Sequence, residues 1–272
     1  MAKLFTFDLD GTLLNSKSQI PQATINAILE LKKEGNYFAL ATGRGLISIK
    51  PILEQFSDFD FAICNNGVIV KNLKTNEVSV NSHLDNELLD IIWEESQKTQ
   101  SFLTISTDQN VYTIKPESEM TWLMSQEEMD LKIGRESNIE KVKEQLNKKE
   151  KITQLALRNS EEVITEIFQR NKSTLGKKYA TFQTNRIFYD INPLGSDKVN
   201  GLKKVAQILN IKPENLVTFG DSGNDIEMLS YSKYGIAMGN STEEIKKIAY
   251  EVIGDHNTNT LAETLLRFKN SK

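Results

Sequence analysis

Four short polar segments carry side chains whose types and spacing suit work on a phosphate group. They are Asp8-Leu9-Asp10-Gly11-Thr12, Thr42-Gly43-Arg44, Lys198 just after Pro193-Leu194-Gly195-Ser196-Asp197, and Gly220-Asp221-Ser222-Gly223-Asn224-Asp225. Carboxylates at Asp8, Asp221 and Asp225 would repel one another in a single site unless a cation sat among them. The chain has two His and one Cys, so the ligands of that cation would be oxygens, which points to Mg²⁺. Thr42 and Lys198 supply a hydroxyl and a positive charge, both suited to phosphate oxygens. A carboxylate nucleophile, a hard metal and a phosphate cradle together imply phosphoryl transfer through an aspartyl-phosphate. Other polar residues carry less. Gly43-Arg44-Gly45 is not a dinucleotide fingerprint, and no GxxxxGK[ST] loop exists. Cys64 lies in an apolar run and reads as core; His83 and His256 lack metal-ligand spacing.

These segments are useful only if the fold brings them to one place. Leu4–Phe7, Tyr37–Ala41 and Leu216–Phe219 are compact apolar runs that read as strands, and a polar segment follows each of them. In open α/β sheets, ligands bind outside the carboxyl ends of the strands. Helical periodicity follows Pro21, covers 46–56, where Pro51 is expected to weaken or bend it, and recurs from Ser196 to Leu209. Phe61–Cys64 reads as a further strand, then a turn at Asn65-Asn66-Gly67 and a hairpin of Val68–Val70 with Val78–Val80. The middle third is different. It holds a helix at Leu84–Lys98, a hairpin of Phe102–Ser106 with Val111–Lys115, helices near 118–130, 138–149 and 160–171, and strands at Ile152–Leu157, 178–182 and 186–191. Alternation returns after it, with elements at 226–230, 234–238, 243–250, 252–253 and 260–269. The expected fold is therefore α/β: a Rossmann-like parallel-sheet core built from residues 1–83 and 192–272, with an α+β domain inserted at 84–191.

DLDGTLL, ATGR, a Lys opening a helix and GDSGND, in this order, resemble the four motifs of the haloacid dehalogenase-like hydrolase superfamily. The insert, ICNNGV at 63–68 and YGIAMGN at 234–240 resemble its Cof-type branch. The resemblance spans essentially the whole chain, and all four motifs in order are far more specific than DxDGT alone. It implies a Mg²⁺-dependent phosphatase of small phosphorylated metabolites, with the insert as a cap. Asp8 would be nucleophile and metal ligand. Asp10 would be general acid and then base, with its main-chain carbonyl on the metal, and Asp221 the remaining carboxylate ligand. Leu9, Thr42, Gly43, Lys198 and Asn224 would bind the phosphate, Lys198 also pairing with Asp8. Asp225 and Arg44 would support these groups from behind. The loop at 254–261 lacks the Glu-Asp-Gly often seen in this branch, which puts any role of that loop in doubt.

Composition bounds the alternatives. The 272 residues carry 33 Lys and Arg against 37 Asp and Glu, with 39% apolar residues, an ordinary globular make-up. A net charge of −4 argues against nucleic acid as the main partner. Asp8 and Asp10 interrupt the N-terminal apolar run, and no stretch approaches the ~20 apolar residues of a membrane span. The expected location is cytoplasmic, as a monomer or homodimer, with a small phosphorylated metabolite as partner and no membrane. Two other functions fit the motifs: a phosphomutase or phosphotransferase with a sugar-phosphate acceptor, and a non-catalytic phosphometabolite-binding regulator.

Overall fold

The computed structural model describes residues 1–116, 135–184 and 186–269. The helix expected near 118–130 lies outside them. Elements run in chain order as β1 (Leu4–Phe7), α1 (Gln22–Lys32), β2 (Tyr37–Ala41), α2 (Lys50–Gln55), β3 (Phe61–Cys64), β4 (Ile69–Asn72), β5 (Val78–Val80), α3 (Asn86–Thr99), β6 (Phe102–Thr107), β7 (Val111–Ile114) and β8 (Arg135–Glu136). They continue as α4 (Ile139–Lys148), β9 (Ile152–Arg158), α5 (Glu161–Asn171), β10 (Tyr179–Thr184), β11 (Phe188–Pro193), α6 (Lys198–Leu209), β12 (Leu216–Gly220), α7 (Ile226–Tyr231), β13 (Tyr234–Ala237), α8 (Glu243–Ile248), β14 (Glu251–Val252) and α9 (Thr260–Leu266).

Two sheets organise the chain. The first has the order β14-β13-β12-β1-β2-β3-β4-β5. It is parallel from β14 to β3 and closes with antiparallel β4 and β5. All four residues of β1 are buried, as expected of a central strand covered on both faces. Phe5, Phe7 and Phe38 stack in the core shared with α1 and α9, with Phe5 and Phe38 ring centroids 5.1 Å apart. Leu4, Ala39 and Ile63 face the opposite way, against Val199, Leu202 and Val205 of α6. The strand order reverses between β1 and β12, which makes the carboxyl end of β1 the topological switch point.

The second sheet has the order β10-β11-β9-β6-β7-β8, and its strands pair antiparallel except β7 with β8. Leu103, Ile105, Leu155, Leu157, Tyr189 and Ile191 point from one face into a core with α3, α4 and α5. The alternate residues point the other way, toward the carboxyl ends of the first sheet. Two parts of the chain, separated by the second sheet, thus build one parallel sheet, and the α/β fold is as expected.

Several boundaries differ from expectation for visible reasons. The periodic stretch 46–56 forms a helix only over α2. Pro51 lies in its first turn, so the proline opens the helix instead of bending it; no backbone N–H is needed there. Asp197, Asn138 and Ser160 cap α6, α4 and α5 through side-chain acceptors, so each helix starts at the residue after its cap, one or two residues later than expected. α3 starts later than expected and ends at Gln100 in the left-handed region. Among the described residues, no helix is long and apolar enough to cross a membrane.

Candidate active site

The four polar segments converge at the carboxyl edge of the first sheet. Asp8 directly follows β1, and its amide donates to the Phe219 carbonyl at 3.0 Å, so the β1–β12 ladder continues to this candidate residue. The chain then turns at Gly11, whose φ is +84°. A Cβ there would lie 2.6 Å from Asp221 Oδ2. Only glycine combines that conformation with that close approach. Thr12 Oγ1 donates to Asp221 Oδ1 at 2.8 Å, tying the first polar segment to the fourth.

Lys198 stands in the first turn of α6, and only 1% of its side chain is accessible. A cation there opposes the helix dipole. The structure supplies the compensating anions: Lys198 Nζ donates to Asp8 Oδ1 at 2.6 Å and to Asp225 Oδ1 at 2.7 Å. Burial alone would lower the Lys198 pKa, but the adjacent Asp225 and Asp8 charges outweigh it and hold the pKa above its ordinary value. Asp225 is fully buried. Its other oxygen accepts from the amides of Asp221 at 3.0 Å and Ser222 at 3.1 Å. Asp225 is therefore committed to Lys198 and to the shape of its own loop.

Carboxylate oxygens of Asp8, Asp221 and Asp225 lie within 4.8 Å of one another. Burial pushes the Asp8 carboxyl up to about 7 against the pull of Lys198, and Asp225 and Asp10 add to the rise. Burial, then the charges of Asp8 and Asp225, raise Asp221 well above the usual range. An oxygen-only set in which the charged forms are this costly fits a hard divalent cation, whose charge would relieve that cost.

Asp10 lies outside this cluster. Its carboxylate takes both arms of Arg44, Nε to Oδ2 at 2.8 Å and Nη2 to Oδ1 at 2.6 Å. The Thr42-Gly43-Arg44 turn is fixed by the Arg44 amide donating to Thr42 Oγ1 at 3.1 Å. Asp8, Asp10, Thr42, Gly43, Arg44 and Asn224 all line one cleft between the two sheets. Leu9 is fully buried behind it, in the core under β1.

Sequence reasoning passed over the groups that join the sheets. In the sequence Asn65 and Asn66 read as a turn and, within ICNNGV, as part of the family resemblance, with no site role. Both adopt left-handed backbone, with φ of 49° and 51°, and both side chains reach the second sheet. Asn65 Nδ2 donates to Gln154 Oε1 at 2.7 Å, and Asn66 Nδ2 donates to Asp190 Oδ2 and Asn192 Oδ1, each at 3.1 Å. Asn66 Oδ1 in turn accepts from Asn224 Nδ2 at 2.8 Å. A continuous polar chain thus links Asp190 to Asn224. Burial pushes the Asp190 carboxyl up to about 6, although hydrogen bonds from Asn66 and Thr184 oppose the rise. The signal was present: Asp190 and Asn192 alternate with Tyr189 and Ile191, the period-two mark of a strand with one polar face. The 254–261 loop also has a structural part. His256 N donates to Asn240 Oδ1 at 3.2 Å, and Asn240 Nδ2 donates to the Gly11 carbonyl at 2.8 Å.

The family model described as haloacid dehalogenase-like hydrolase matches residues 5–265. The 5-amino-6-(5-phospho-D-ribitylamino)uracil phosphatase YcsE of Bacillus subtilis is 28% identical over 251 residues, covering 91% of this chain and 88% of that protein. Phosphatase YwpJ of the same organism is 26% identical over 274 residues, covering 91% and 93%. A solved haloacid dehalogenase-like hydrolase from B. subtilis superposes with a TM-score of 0.82 at 22% identity, covering 97% of this chain and 98% of that one.

Proposed function

The chain belongs to the haloacid dehalogenase-like hydrolases, and from that premise we propose that it is a Mg²⁺-dependent phosphatase of small phosphorylated metabolites that works through an aspartyl-phosphate on Asp8. The observation that carries this reading is the placement of Asp8: at the switch point of the sheet, buried, held by Lys198, and facing a cleft lined by Thr42, Gly43 and Asn224. Residues 84–191 act as the cap in this reading.

Asp8, the Asp10 main-chain carbonyl and Asp221 would hold the metal, which supplies charge stabilisation for phosphoryl oxygens when bound. Lys198 grips Asp8 Oδ1, which orients the carboxylate and leaves Oδ2 as the attacking oxygen. In the first half-reaction, the Asp8 oxygen bonds to phosphorus as the ester oxygen departs, and Asp10 gives that oxygen its proton. In the second, water attacks the phosphorus, Asp10 takes a proton from the water, and inorganic phosphate leaves Asp8 free. The two-armed grip of Arg44 fixes the orientation of the Asp10 carboxyl group. Thr42, Asn224 and the backbone around Leu9 and Gly43 would hold the phosphate oxygens in place. The second sheet shields the cleft from bulk water.

YcsE is named for a phosphorylated ribitylaminouracil, so compounds of that kind belong on the test panel beside sugar phosphates. Phosphate release is to be measured over the panel with Mg²⁺, comparing the parent with Asp8→Asn. The expected result is release from at least one compound and a loss of about 10³-fold or more in the variant. Mg²⁺-dependent release that persists at the parent rate in Asp8→Asn overturns the mechanism.

A further inference from the structure

Three side-chain amides stand in line between the two sheets: Asn192 on β11, Asn66 in the turn between β3 and β4, and Asn224 after β12. Backbone groups at both ends set their polarity. A carbonyl oxygen only accepts, so the group that meets the Asn65 carbonyl at 3.0 Å is Asn192 Nδ2, and Asn192 Oδ1 turns to Asn66. Asn66 Nδ2 donates to that oxygen and to Asp190 Oδ2, each at 3.1 Å. Asn66 Oδ1 therefore faces Asn224, whose Nδ2 donates to it at 2.8 Å. At the other end the Asp225 amide donates to Ser222 Oγ, and that hydroxyl donates to Asn224 Oδ1 at 2.8 Å. Every donor in the row points the same way. No one of the three amides can flip without setting donor against donor and acceptor against acceptor.

Asn66 is fully buried, so it touches no ligand, yet it reaches two of the groups proposed to hold the phosphate. Its main-chain amide donates to the Thr42 carbonyl at 3.0 Å. Its side chain packs under the same turn: a Cβ on Gly43 would lie 3.3 Å from Asn66 Oδ1 and 3.1 Å from Asp190 Oδ2. The second group is Asn224, which lines the cleft. An amide nitrogen carries two N–H bonds. Asn66 takes one from Asn224, and the other is left for a phosphate oxygen. A reversed Asn224 amide would set its carbonyl against the anion. The left-handed backbone of Asn66, with φ 51° and ψ 39°, is one that asparagine tolerates.

We propose that Asn66 is a positioning residue for the phosphate: held in one orientation by Asn192 and Asp190, it presents the amide nitrogen of Asn224 to the anion and supports the Thr42-Gly43 turn from beneath. The one-way row of amides is what transmits the orientation, and its members polarise one another in the same sense. This deepens the phosphatase reading and rests on it.

The test compares two glycine variants. Asn66→Gly removes the side chain and keeps the left-handed backbone, which glycine adopts freely. Asn65→Gly is the control. Asn65 shares that backbone region and also bridges to the second sheet, but its side chain is bonded to Gln154 and Thr153 instead of Asn224. Binding of inorganic phosphate and of orthovanadate is measured by titration calorimetry with Mg²⁺. The dissociation constant is independent of the fraction folded, which the stoichiometry reports. The proposal expects Asn66→Gly to weaken both anions at least tenfold and Asn65→Gly less than threefold. Asn224→Ala added to Asn66→Gly should weaken them less than threefold further, because both act through one contact. Asn192→Ala frees the Asn66 amide to flip and should weaken binding at least threefold; it carries the test if Asn66→Gly does not fold. Equal losses in the two glycine variants overturn the proposal and leave the phosphatase reading standing. So do multiplying effects of Asn66→Gly and Asn224→Ala, or unchanged affinity in Asn66→Gly or, in its place, Asn192→Ala. A parent that releases phosphate from the panel yet binds neither anion also overturns the proposal alone. A parent that neither binds these anions nor releases phosphate removes the phosphatase reading itself.

Discussion

Asp8 and Asp221 carry a cost that only their shared surroundings explain. Burial pushes Asp8 up to about 7 and raises Asp221 well above the ordinary carboxylate range, although Lys198 pulls both the other way. A cation bound at these oxygens must compete with protons at them. Added Mg²⁺ should therefore raise the melting temperature, and the increase should be larger at pH 8 than at pH 6, where Asp8 is mostly protonated. Asp221→Asn should remove most of the increase at both pH values. Differential scanning fluorimetry reads this directly, and an increase that is independent of pH, or intact in the variant, contradicts the assignment of these ligands. Asp225 differs from its neighbours. Its oxygens are occupied by Lys198 and two loop amides, so its part is to hold the lysine and the loop.

At the scale of elements, the joint between β3 and α6 positions the lysine. Gly67 has a φ of +95°, and a Cβ there would collide with the Asp197 carbonyl oxygen at the start of α6. Gly67→Ala should cost roughly 2–4 kcal/mol, as backbone strain adds to overpacking, measured by urea unfolding. It should also lower kcat by displacing Lys198. β11 gives a pH-dependent prediction. Asp190 has its pKa pushed up to about 6 by burial, so the folded protein holds a proton that the unfolded chain has released. Its contribution to stability is full below about pH 4 and is lost as pH rises through 6. Asp190→Asn abolishes this loss. Relative to the parent, the variant should gain on the order of 2–3 kcal/mol between pH 4 and pH 7, and a parallel pair of stability curves contradicts it. The legibility of these elements follows their physics. β1, β2 and β12 announced themselves because a central parallel strand is apolar on both faces. Pro51 was misread because periodicity alone does not say where in a helix a proline falls. Asn65 and Asn66 were legible as a turn but not as a bridge, since nothing local encodes a partner 89 or 124 residues away.

The whole molecule places Asp8, the proposed nucleophile, where two halves of one sheet diverge and covers it with a second sheet held by side-chain amides. The segments at Asp8, Thr42 and Asp221 were readable because each follows a strand that the parallel sheet brings to a common edge, and Lys198 because it opens a helix. The pairing of Arg44 with Asp10 was not, because which side chains meet across the cleft depends on packing. Nor was the polar face of the second sheet read as a surface, although Gln154, Arg158 and Asp190 sit at alternate strand positions that face the cleft. The proposal that unites these scales is that Asp8 carries the phosphoryl group in transit. The direct measurement is to quench the enzyme in acid during turnover of its best substrate with Mg²⁺, digest it, and locate any phosphoryl-bearing peptide by mass. The account predicts the group on the peptide containing Asp8, absent in Asp8→Asn. A phosphoryl group found on another residue, or phosphate release at the parent rate by Asp8→Asn, would contradict it.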